Sequence, residues 1–168
     1  ELLAHFVAVR SPTMTAAHDD RAESPDLAPT VLVERVDLQR SGAQLGVIRL
    51  NEPERLNPLN WEKFRLIRQG LLELEDDPAV RAVAVTGTGR AFSAGGDLSA
   101  YQTLQRDPVE FPRYMDDAHA AFETPSEMTK PVVALVNGIA VAGGLELVLA
   151  CDFAFAARSA RLGDAHIN

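Results

Sequence analysis

Two stretches of this chain combine residue types that can do chemistry: RAFSAGGDL at 90–98 and NGIAVAGGLELVLACD at 137–152. Each follows a short apolar run. Each sets a glycine pair, Gly95-Gly96 or Gly143-Gly144, where a strand gives way to a loop or helix. Two such junctions can aim two backbone N–H groups at one point, and convergent donors hold the negative charge that builds on a carbonyl oxygen. A helix starting near Gly143 leaves its first N–H groups without intrahelical acceptors, at the positive end of the helix dipole. Glycines there, and the small residues Ser93 to Gly96 at the first junction, let a ligand approach the backbone. Glu146 falls on the first helical turn, where a carboxylate can move a proton on or off a carbon beside that carbonyl. The same residues have a plainer reading. Glycines serve turns with positive φ, and a glutamate at a helix start satisfies the dipole or a capping box. The run Gly87-Thr88-Gly89 is followed by Arg90, Ala91 and Phe92, so GxGxxG fails at its third glycine, and no GxxxxGK[ST] loop exists.

The elements that must position these residues alternate in type. VLVERV at 31–36 and GVIRL at 46–50 read as strands joined through RSGAQ, a hairpin. Asn60 is an N-cap for a helix whose apolar face is Phe64, Ile67, Leu71 and Leu74, ended by Asp77-Pro78. AVAVT at 82–86 and VVALV at 132–136 are buried strands. Between them a helix falls within 108–124, its face marked by Phe111, Met115, Ala118 and Phe122, its start blurred by Pro108 and Pro112. A helix over 143–150 and a last short strand over 153–157 complete the pattern. Alternating helices and continuous apolar strands predict an α/β fold with mostly parallel pairing. Residues 1–29 mix Pro, Ser, Asp, Ala and Thr without periodicity and read as a flexible leader before a core over 30–168. The first residue is Glu rather than Met and RLGDAHIN lacks tail composition. The chain is therefore expected to be a fragment, with Met14 a candidate natural start, inactive and aggregation-prone by itself because unfinished parallel strands leave open edges.

Composition narrows the function. The 168 residues suffice for one domain with a real core. The net charge of −8 argues against nucleic acid and anionic membrane as partners. No apolar run reaches the roughly 18–20 residues of a membrane span, and the N-terminal stretch lacks the basic region of a signal peptide, so a cytoplasmic location is expected. Cys151 is the single cysteine, which excludes an internal disulfide or a CxxC metal knuckle. It reads as a small buried residue, His119 as a solvated one and Trp61 as a packing one.

Taken together, the two glycine stretches resemble the crotonase superfamily, the enoyl-CoA hydratases and isomerases. Residues 90–98 look like its first oxyanion loop, NGIAVAGGLELVLACDFAFAA like its second with the helix and strand that follow, and LNEPERLNPLN at 50–60 like the segment lining the CoA pocket. The resemblance runs from about 31 to 168 and implies a crotonase-like (ClpP/crotonase) spiral of ββα units with its C-terminal part missing. It makes the N–H groups of Gly96 and Gly143 the oxyanion donors. It lays Ser93, Gly95, Asp97, Leu98, Ser99 and Gly144 along the acyl-CoA, and sets Arg55, Leu56 and Pro58 beside its pantetheine or nucleotide part. Glu146 matches the family's first acid/base carboxylate. The second falls, in ungapped register, at His166, whose imidazole can also act as acid or base near neutral pH. Ala142 precedes the glycine pair where a third glycine is usual, and Ser99 stands where many members carry a basic residue. The implied activity is hydration of a 2-enoyl-CoA. Isomerisation, hydrolysis and decarboxylation are served by the same oxyanion site, and a non-catalytic acyl-CoA-binding module is the contrasting reading. Coenzyme A enters as part of the substrate, with no separate cofactor or metal, and a homotrimer or dimer of trimers is implied.

Overall fold

The computed structural model describes residues 28–39 and 42–165. The leader read over 1–29, Met14 within it, lies outside these except for its last two residues, and so does His166. Strands β1 (Val31–Leu38) and β2 (Ala43–Leu50) pair antiparallel from Val31↔Leu50 to Leu38↔Ala43. The expected hairpin is there, with Ala43 and Gln44 belonging to the second strand rather than to the turn. A 3-10 turn (Pro53–Arg55) follows, then α1 (Trp61–Asp76), β3 (Val80–Gly87), β4 (Ala91–Ser93), α2 (Leu98–Leu104) and α3 (Glu110–Glu127). The chain continues through β5 (Val132–Val136), β6 (Ile139–Val141), α4 (Gly143–Ala150), β7 (Phe153–Ala156) and β8 (Arg161–Gly163).

The strands divide between two sheets. One runs β1-β2-β3-β5-β7, parallel beyond the hairpin; the other runs β4-β6-β8, all parallel. Each long strand is thus followed by a short strand of the second sheet: β3 by β4, β5 by β6, β7 by β8. Helices return the chain to the first sheet, which produces a spiral of ββα turns. The strand over 153–157 is therefore not the last one, because β8 follows it.

α1 forms as its sequence dictates. The Asn60 side chain accepts from the Lys63 N–H at 2.9 Å, and Phe64, Ile67, Leu71 and Leu74 are buried against the sheet. Each such side chain contributes about 1.5–3 kcal/mol. The helix sits close because Gly70 faces Ile48 and Val33, where a Cβ would lie 2.7 Å from Ile48 Cδ1. α3 starts at Glu110, two residues later than Pro108 allowed. Asp107 Oδ1 takes the N–H groups of Val109 and Glu110, and Pro112 falls in the first turn, where its missing donor costs nothing. Trp61, Phe64, Tyr101, Phe111, Tyr114 and Phe122 form a connected aromatic cluster where α1, α2 and α3 meet.

Candidate active site

Two chain crossings build the site. The first is a single parallel bridge between Leu59 and Gly96. The Leu59 N–H donates to Gly95 O and the Asp97 N–H donates to Leu59 O, both at 2.8 Å. Since N–H groups of an extended strand alternate between its two edges, the Gly96 N–H points away from Leu59. On that other side lies the start of α4. Gly96 N is 3.6 Å from the position a Cβ on Gly143 would take, and Glu146 Oε2 is 3.6 Å from the same position. The two glycine junctions therefore meet, and the carboxylate stands beside them. Among the described residues neither the Gly96 nor the Gly143 N–H has an acceptor. Gly96 and Glu146 are exposed and Gly143 is half-buried, so a ligand can reach all three.

The second crossing explains the neighbouring glycines. Gly95, at φ +89°, lies against Ala142, where a Cβ would sit 2.8 Å from Ala142 Cβ. A Cβ on Gly144 would strike Ser93 O. Gly95 and Gly144 are buried, and their lack of a side chain is what lets the two junctions touch backbone to backbone. Ala142 itself turns the chain from β6 into α4 at φ 49°, ψ −128°, a conformation that costs a non-glycine residue about 1–3 kcal/mol. It is held there because its N–H donates to Asp164 O at 2.9 Å while its carbonyl accepts from Leu145 and Glu146.

A buried polar scaffold supports the first junction. Asn57 is fully buried at positive φ. Its Nδ2 donates to Thr88 O and Ala91 O at 2.9 Å, and its Oδ1 accepts the Glu52 N–H. Ser93, also fully buried, donates to Asn57 O at 2.8 Å and accepts the Gly95 N–H at 3.1 Å. Its hydroxyl is committed to shaping the loop. Pro58 is buried too, its carbonyl taking Lys63 Nζ at 2.8 Å. Of the expected ligand contacts, Arg55, Leu98 and Ser99 are exposed at the rim and Leu56 is half-buried, whereas Ser93, Pro58, Gly95 and Gly144 face protein.

Asp97 closes the rim. Its carboxylate accepts from Arg55 at 2.8 Å, from the Ser99 hydroxyl at 2.8 Å and from the Ala100 N–H that opens α2. The Arg55 bond foremost, joined by Ser99 and Ala100 and opposed by burial, holds its pKa down to about 2. Burial works against ionisation of Glu52, but hydrogen bonds from Lys63 and Arg55 outweigh it and keep that carboxyl below its usual range. Cys151 is the opposite case. Burial, with Asp152 nearby, pushes its thiol up to about 12, and Sγ donates to Leu147 O, so it is a packing residue.

Sequence reasoning passed over Tyr114. Its ring is buried in the aromatic cluster, and burial first, then Tyr101, Asp97 and Glu146 nearby, raise its phenol pKa. The signal was available: the inward face of α3 passes through 114 as well as 115. Lys63 was also missed, because at its position a lysine reads as solvent-facing. Among the described residues no three His, Cys, Asp or Glu side chains group around a metal position, and no helix is long and apolar enough to cross a membrane.

Comparison with known proteins bears on the same stretches. Residues 40–168 match the enoyl-CoA hydratase/isomerase family. The chain is 43% identical over 127 residues to a Thermus thermophilus protein provisionally named an enoyl-CoA hydratase, covering 75% of this chain and 50% of that one. It is 35% identical over 126 residues to the crotonyl-CoA hydratase of Syntrophomonas wolfei, covering 74% and 48%. The crystal structure of an enoyl-CoA hydratase/isomerase from Xanthobacter autotrophicus superposes with a TM-score of 0.73 at 32% identity, over 82% of this chain and 49% of that one. The chain spans about half the length of the curated relatives it matches.

Proposed function

The chain belongs to the enoyl-CoA hydratase/isomerase family, and from that premise we propose that its polypeptide binds a 2-enoyl-CoA thioester and catalyses addition of water across the double bond. The observation that carries this reading is the approach of Gly96 N and Glu146 Oε2 to one point beside Gly143. A thioester oxygen placed there accepts from both glycine N–H groups. As a water oxygen bonds to C3 and gives up one proton, the π electrons move onto the thioester oxygen as an enolate; C2 then takes a proton as the carbonyl re-forms, so the sum is one water added. The two amides stabilise the enolate more than the neutral thioester, and losing one such donor costs about 3–4 kcal/mol of transition-state stabilisation. Glu146 supplies the proton transfer. Coenzyme A enters only as part of the substrate.

A second reading has one observation in its favour. Asp97, the carboxylate that follows Gly96, is tied to Arg55, Ser99 and Ala100, so of the two carboxylates beside the glycines among the described residues Glu146 is the candidate for proton transfer. A single acid/base carboxylate suffices for isomerisation, in which it takes a proton from one carbon and returns it to another. The full polypeptide should consume crotonyl-CoA, followed by loss of the enoyl-thioester absorbance. Glu146→Gln should lower kcat by about 10²–10⁴ with binding retained. Double-bond migration in 3-enoyl-CoA without hydration of crotonyl-CoA would favour the isomerase. Binding without either turnover would leave an acyl-CoA-binding module.

A further inference from the structure

We propose that Lys63 is a positioning residue for the Gly96 amide, acting through Glu52, Arg55 and Asp97. This rests on the acyl-CoA reading above and adds to it a part for Lys63 and Glu52, which stand outside its expected ligand contacts.

Lys63 sits on the first turn of α1 with its side chain wholly removed from solvent. Burying an ammonium costs several kcal/mol unless its partners are well placed, and an apolar side chain of like length would fill the same space. The charge therefore calls for a reason beyond packing. Nζ donates to Glu52 Oε2 at 2.6 Å and to Pro58 O at 2.8 Å. From those two contacts, two paths run to the two sides of Gly96. Along the first, Pro58 precedes Leu59, whose N–H and carbonyl grip Gly95 and Asp97. Along the second, Glu52 Oε1 takes Arg55 Nη1 at 2.9 Å, and Arg55 Nη2 holds Asp97 Oδ2 at 2.8 Å. One buried cation thus fixes both peptide units that flank the Gly96 N–H, and with them the direction in which that donor points. Glu52 is the shared link, one oxygen for each cation.

A donor turned off line weakens the enolate more than the ground-state thioester. Lys63→Met is expected to lower kcat by about 10–100-fold while KM changes less than about threefold. The deciding measurement is the infrared carbonyl stretch of butyryl-CoA, ¹³C-labelled at the thioester and bound at saturation to the full polypeptide. This saturated analogue does not turn over. The wild-type protein should shift the band to lower frequency, and Lys63→Met should lose at least half of that shift. Arg55→Ala breaks the network at its exposed end without stranding the ammonium, so it reports even where Lys63→Met fails to fold; it too should lose part of the shift. Folded variants with an unchanged carbonyl band would overturn the proposal. A wild-type protein that binds butyryl-CoA with no band shift, or does not bind it, would sink the acyl-CoA reading itself and this inference with it.

Discussion

Asp97 joins the polar scaffold to the rim of the site, and its ionisation gives a pH signature. Its pKa in the fold, about 2, lies below the ordinary value of 3.8. Its contribution to stability is therefore fully present above that ordinary value and is lost as pH falls through about 2. Because Arg55 is half exposed, solvent screening trims the contribution to about 1 kcal/mol. Asp97→Asn should thus lower the unfolding free energy by about that amount at pH 7. The difference from wild type should close between pH 4 and pH 2, as urea titrations at several pH values would show; a gap independent of pH would refute the assignment. Ala142 is the second residue with a clear expectation. Its positive φ is strained for alanine, and Ala142→Gly trades that strain against the larger unfolded-state entropy of glycine. A net gain of about 1 kcal/mol in chemical denaturation is expected. The sequence showed the alanine where a third glycine is usual. Only the backbone dihedral shows that the position is strained.

At the scale of elements, what was legible depended on length and period. α1 declares itself through an N-cap and four apolar residues at helical spacing, and β3 and β5 through continuous apolar runs. β4, β6 and β8 have three residues each, too few for any period, and their pairing is set by which long strand precedes them. α2 went unread because its seven residues bury none of their side chains. The family resemblance already set Gly96 and Gly143 apart as donors but laid Gly95 and Gly144 along the ligand. Their division into Gly96 and Gly143, open to a ligand, and Gly95 and Gly144, needed for contact, comes from the crossing of two distant segments. That division is testable. Gly144→Ala places a methyl against Ser93 O and must push the two junctions apart, which should cost about 1–3 kcal/mol of stability. It should also reduce kcat more than Gly42→Ala, which meets nothing within 4 Å of its Cβ and strains only the β1–β2 turn at φ +66°. Equal effects of the two substitutions on kcat would mean that the junction contact does not matter to the site.

At the scale of the molecule, the first sheet among the described residues ends at β7, whose four residues are all exposed. Phe153 and Phe155 stack edge to face there at 5.8 Å, with Leu149 and Leu162 also exposed. An open strand edge flanked by apolar side chains promotes association. The 168-residue chain by itself is expected to run larger than a monomer in light scattering, and Phe153→Ser with Phe155→Ser should shift it toward monomer. A monodisperse monomer in the unmodified chain would contradict that. The measurement that tests the account most directly is a crystal structure of the full polypeptide with a bound, unreactive acyl-CoA. The thioester oxygen should lie about 2.7–3.2 Å from both Gly96 N and Gly143 N, with the Glu146 carboxylate next to C2 and C3. A thioester bound elsewhere, or an oxygen held by only one of the two amides, would contradict the claim that these glycines form a single oxyanion site.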